Sequence, residues 1–84
     1  MADAAVETFR IDDDSPAQGK TLAEIALPSR TGASIITWTH AGVTLANPSE
    51  TTRLMAGDIV VLFGSRAQIR QAMELLVPMG ANDL

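Results

Sequence analysis

The stretch from Leu54 to Gly64 constrains this chain more than any other. A polar turn on Gly57-Asp58 launches Ile59-Val60-Val61-Leu62-Phe63, and Gly64 closes the run just before a helix start at Ser65. Five consecutive apolar residues bounded by turn chemistry read as a strand covered on both sides, which gives it a central place in a sheet. A glycine-aspartate turn feeding an apolar strand, closed by glycine and a capped helix, reads as scaffold rather than catalysis.

The remaining composition narrows the choices. Eighty-four residues make one domain, and a chain of that size buries only roughly 60–65% of its unfolded surface, so a second copy would help it. Cysteine is absent, which excludes disulfides and thiolate metal sites. With His40 as the single histidine, no zinc constellation assembles. A net charge of −4 argues against tracking nucleic-acid phosphates, a task that needs clustered Lys and Arg. The run from Ile59 to Phe63 is far short of the ~20 residues that cross a bilayer. No basic segment followed by an apolar stretch marks a signal peptide. These features predict a soluble, acidic, cytoplasmic domain with no metal and no direct membrane insertion.

Residues 1–5 are small and acidic and are expected to fray. From Val6 to Ile11 the side chains alternate, Phe9 and Ile11 on one face and Thr8 and Arg10 on the other, which predicts a half-buried strand. Asp12-Asp13-Asp14-Ser15-Pro16 ends it as a solvated loop, because calcium loops space their carboxylates at alternate positions around a glycine turn. Gly19-Lys20-Thr21 lacks the upstream glycine of a phosphate loop, and Asp14 stands where that glycine belongs. Thr21 and Glu24 instead form a T-x-x-E capping box, with Leu22, Ile25 and Ala26 at helical spacing and Pro28 ending the turn.

Ala33 to His40 reads as the second strand, with Ile35, Thr37 and Thr39 facing one way and Ile36, Trp38 and His40 the other. Ala41-Gly42 makes a hairpin loop, and a short return strand, Val43 to Ala46, stops at Asn47-Pro48. Ser65 and Gln68 form a second capping box for a helix whose apolar stripe is Ile69, Ala72, Met73 and Leu76. Residues 78–84 are a tail. The expected fold is α+β, in the order β-α-β-β-β-α, with a mainly antiparallel four-stranded sheet and two helices on one face. The other face, carrying Ile35 or Ile36, Trp38 and part of the Ile59–Phe63 strand, predicts a homodimer.

Over residues 6–77 the chain resembles the TrkA-C, or RCK-C, family of regulatory domains from prokaryotic potassium channels and cation/proton antiporters. The carriers are Gly19-Lys20-Thr21-Leu22-Ala23-Glu24, Gly32, Ser34-Ile35-Ile36, Asn47-Pro48, Leu54, Gly57-Asp58 and the helix from Ser65 to Leu76. Ala46-Asn47-Pro48-Ser49 followed by Leu54-Met55-Ala56-Gly57-Asp58 looks most like the tails of monovalent cation/proton antiporters. The resemblance implies a partner in a membrane-embedded cation transporter, linked or associated. Some family members bind cyclic di-AMP, using an apolar pair on the second strand and an Asn-Pro after the third. The matching positions here are Ile35, Ile36, Asn47 and Pro48. Where the family often carries an arginine near the end of the second strand, this chain has Thr39, His40 and Ala41.

Ile35, Ile36, His40, Asn47 and Pro48 are therefore the candidate ligand residues, and Ile35, Ile36 and Trp38 the candidate dimer interface. Branched apolar side chains serve an adenine face and a plain interface equally well. With His40 as the cation for two phosphates, binding is expected to strengthen as pH falls toward ~6.5. No catalytic residue is assigned, because no acid is identifiable as an orienting partner for His40. A regulatory domain is the leading reading, and an adaptor that adds a partner strand along Val43 to Ala46 is the alternative.

Overall fold

The computed structural model describes residues 3–78, so Met1, Ala2 and residues 79–84, where the expected N-terminal fraying and the tail largely fall, lie outside the described residues. Four strands form one sheet in the order β1-β4-β2-β3: β1 (Ala4–Arg10), β2 (Ser34–His40), β3 (Val43–Ala46) and β4 (Ile59–Ser65). Every neighbouring pair is antiparallel. β1 starts two residues earlier than the sequence predicts, because Ala4 and Ala5 find partners in Ser65 and Gly64. The Ile59–Phe63 run is a central strand, as its double-sided apolar character requires.

Both capping boxes form. Thr21 caps α1 (Leu22–Ile25), its hydroxyl accepting from the Glu24 amide while the Glu24 carboxylate accepts from the Thr21 amide. Ser65 and Gln68 make the same reciprocal pair at the start of α3 (Arg66–Leu76), so β4 runs into α3 without a loop. The first helical segment departs from expectation. Ala26 adopts a left-handed conformation at φ 55°, and α2 (Leu27–Thr31) starts again with Pro28 in its first turn. Proline there sacrifices no hydrogen bond, since first-turn amides have no helical partner, so Pro28 opens a helix rather than closing one.

The core lies between the helices and one side of the sheet. Ile11, Leu54, Leu62, Leu76 and Val60 are fully buried, with Ile69 and Ala72 of α3 packed beside them. Each such large apolar side chain removed from water contributes roughly 1.5–3 kcal/mol before entropy is charged. Alternation along β4 sends Val60, Leu62 and Gly64 inward and leaves Ile59 and Phe63 exposed on the far side.

β2 carries the main surprise. Ile35 stands opposite Leu62, yet the next pair is Thr37 opposite Val61, so Ile36 is an extra residue in a β-bulge. A bulge shifts the alternation by one position. Ile35 and Trp38, expected on opposite faces, consequently share the helix side, and both pack against the core. Trp38 is thus not on the uncovered face that was expected to make a dimer.

Candidate functional site

The sequence places a break at Ala26, a proline at position 28 and a second proline after β3, and these irregular points enclose a cleft of about 410 Å³. Its walls are α1 and the Ala26–Ser29 corner on one side, with Ile35 at the start of β2 and Pro48 on the other. The volume is within the usual range for small-molecule sites. The lining is mainly apolar, from residues such as Leu22, Leu27, Ile35 and Pro48, and Glu50 is its one charged residue. Backbone bonds hold the rim: the Ala23 amide donates to the Glu50 carbonyl at 3.0 Å and the Leu22 amide to the Thr52 carbonyl at 2.9 Å.

Of the five candidate ligand residues, the structure brings Ile35 and Pro48 into this cleft. Asn47 adopts a left-handed φ of 51°, and its amide donates to the Ile36 carbonyl at 2.8 Å. That bond ties the Asn-Pro turn to the bulge, while the Asn47 side chain is exposed. His40 is elsewhere. It lies five residues from Ile35 along the strand, a separation of roughly 17 Å, and is absent from the cleft lining.

His40 belongs to a polar cluster that the sequence pattern does not announce. Asp58 is 2% exposed and accepts three hydrogen bonds. The Trp38 indole Nε1 donates to Oδ2 at 2.9 Å, the Met55 amide donates to Oδ2 at 2.9 Å, and His40 Nδ1 lies 2.6 Å from Oδ1. An ionised carboxylate only accepts, so the proton on that last bond is the imidazole's. Burial raises the Asp58 pKa, but the hydrogen bonds from His40, Trp38 and Met55 outweigh it, and the carboxyl titrates below its ordinary value. The Trp38 and His40 rings stack at 5.8 Å between centroids. The expected turn role of Asp58 is present in the Met55 bond, and the two aromatic partners are additional. The candidate ligand residue His40 is thus held against Asp58, outside the cleft that Ile35 and Pro48 line. Among the described residues, no three His, Asp or Glu side chains gather as a metal site, and no helix is long and apolar enough to cross a membrane.

The family model of the TrkA-C domain matches residues 6–77, from the second half of β1 to the end of α3. The chain belongs to the TrkA-C domain family. Among solved structures, this TrkA-C domain is similar to the RCK-C domain dimer of S. agalactiae BusR in complex with c-di-AMP. Identity there is 21%, with 89% of this chain and 93% of that one covered at a TM-score of 0.78. The RCK-C domain of the potassium transport protein KtrA in complex with c-di-AMP is 14% identical, covering 84% and 81% at a TM-score of 0.76. The GsuK channel is 28% identical over 94% of this chain, at a TM-score of 0.78. The TrkA-C domain spans only 14% of that channel chain, and 35% of the BusR chain solved with its busAB-promoter DNA, where identity is 22%. No curated protein matches the sequence.

Proposed function

We propose that this TrkA-C domain is a non-catalytic regulatory module of a prokaryotic potassium or cation transport system, binding a cyclic dinucleotide and pairing with a second copy. The observation that carries the reading is the cleft beside the bulge, where Ile35 and Pro48 occupy positions that the family resemblance assigns to nucleotide contact. Its apolar walls suit the flat face of an adenine. Cyclic di-AMP has two identical halves, and two copies related by a two-fold axis offer two identical clefts. Ile35 lines the cleft and Ile36 follows it in the bulge, so this reading assigns nucleotide contact and pairing to one segment of β2.

A monovalent cation/proton antiporter is the transporter that the Ala46–Ser49 and Leu54–Asp58 segments favour, with this domain on the cytoplasmic side. Nucleic acid is not assigned as a partner, because a chain of net charge −4 repels phosphate backbones. Titration calorimetry with cyclic di-AMP tests the proposal. Saturable heat with one nucleotide per two chains supports it. Neither heat nor a thermal shift at millimolar nucleotide overturns the assignment of the ligand.

A further inference from the structure

A second hollow, of about 300 Å³, lies where the Pro16–Lys20 loop, α1, α2 and α3 meet. Ala17 and Ile25 are 1% and 4% exposed and, with Leu75, give it an apolar floor. Four charged side chains ring that floor: Lys20, Arg30, Glu24 and Glu74. None of them is ion-paired with another, since the only ion pair among the described residues joins His40 to Asp58. Both signs of charge thus border one small space without neutralising each other.

Local structure fixes these charges in place. The Glu24 carboxylate accepts from the Thr21 amide at 2.8 Å, and that bond, the largest influence on it, lowers its pKa and keeps it ionised. Arg30 Nη1 donates to the Ile25 carbonyl at 3.4 Å, which steadies the guanidinium across the break at Ala26. The backbone of Lys20 is tied to Ala17 at 3.0 Å and to Leu54 at 2.9 Å. Glu74 is in the last turn of α3, which carries no basic residue, so its carboxylate adds to the negative end of the helix.

We propose that this hollow binds a small zwitterion of the α-amino acid class with an apolar side chain. Its carboxylate pairs with Arg30, whose planar fork matches two oxygens, and with Lys20. Its ammonium faces Glu74 and the negative end of α3. The apolar side chain rests on Ile25 and Leu75. Charge selects the class. A simple anion meets Glu24, Glu74 and a chain of net charge −4, while a simple cation meets Lys20 and Arg30. A molecule carrying both charges answers both poles and brings no net charge. Ile25 is common to the linings of the hollow and the cleft, but the mixed ring of charges belongs to the hollow alone. The inference therefore stands or fails without any nucleotide present.

Amide NMR spectra of the whole chain, free of nucleotide and at fixed pH, test it with L-leucine as the probe. Leucine should shift the amides of Lys20, Ile25, Arg30 and Leu75 saturably in the millimolar range. 4-Methylpentanoate, which lacks the ammonium, and leucinamide, which lacks the carboxylate, should each bind at least tenfold more weakly. Arg30→Gln and Glu74→Gln, both at exposed positions, should each weaken leucine at least tenfold while the rest of the spectrum keeps its wild-type dispersion. Glu50→Gln, which alters the cleft, should bind leucine as wild type does. Absence of a saturable shift overturns the inference. So does equal binding of either one-charge analogue, or an affinity that neither Arg30→Gln nor Glu74→Gln changes. Shifts centred on Ile35 and Glu50 would put leucine in the cleft and overturn it as well.

Discussion

The indole of Trp38 and the carboxylate of Asp58, twenty residues apart in the chain, meet at 2.9 Å and join the β2–β3 hairpin to the turn before β4. Replacing Asp58 with alanine leaves the indole N–H, the Met55 amide and the imidazole without their acceptor. The expected cost is about 2–4 kcal/mol, the range for stripping a buried, multiply bonded carboxylate. Trp38 is the single tryptophan, so urea unfolding followed by its fluorescence reads both the stability loss and the disturbance at the site. Asp58→Asn, which keeps part of the accepting capacity, should fall between wild type and alanine.

The same cluster sets an acid limit. Asp58 has a folded pKa below its ordinary value, so its contribution is fully present above the unfolded value of ~3.9 and is lost as pH falls through the folded one. Thermal melts from about pH 5 downward should therefore show falling stability. Asp58→Asn, lacking that titration, should give a flatter profile. Equal slopes for the two proteins would remove Asp58 as a cause.

Gly32 ends α2 at φ +85°, and a Cβ there would meet Gln68, with Cδ at 2.9 Å. Gln68 cannot retreat freely, because its Oε1 accepts from the Ser65 amide at 2.8 Å. Gly32→Ala should thus combine backbone strain with a damaged cap on α3, for a total of about 1–3 kcal/mol. A double-mutant cycle with Gln68→Ala should show coupling, the alanine relieving the clash. Strict additivity would leave the backbone as the whole effect.

Glu50 is the one charged residue lining the cleft. If the nucleotide seats there, its phosphates approach a carboxylate, and Glu50→Gln should tighten cyclic di-AMP binding a few-fold, a gain that shrinks with added salt. Ile35→Asp should abolish binding. His40→Ala should leave it within twofold, since the imidazole bonds Asp58 and is absent from the cleft lining.

Much of the scaffold is legible from residue spacing. T-x-x-E and S-x-x-Q each announce a cap that forms, and the Ile59–Phe63 run identifies a central strand by its lack of a polar face. Local chemistry suffices for these, because each depends on neighbours within a few residues. The first helix break was hidden because alanine at position 26 has no preference for the left-handed conformation it takes. Pro28 is ambiguous in sequence because proline both closes helices and opens them, and here it opens α2. The fate of His40 depended on Asp58, eighteen residues away, and no periodic pattern reports a contact of that kind.

The extra residue at Ile36 works like a change of reading frame within a strand. Upstream of it, odd-numbered positions point toward the helices; downstream, even-numbered ones do. One codon thereby lets the cleft wall at Ile35 and the anchored indole at Trp38 occupy the same side of a seven-residue strand. Deleting that codon would restore regular alternation and force the chain to keep one of the two features at the expense of the other. Variation in such a strand is consequently less tolerant of length than of side-chain identity, and insertions or deletions there should be rarer than substitutions.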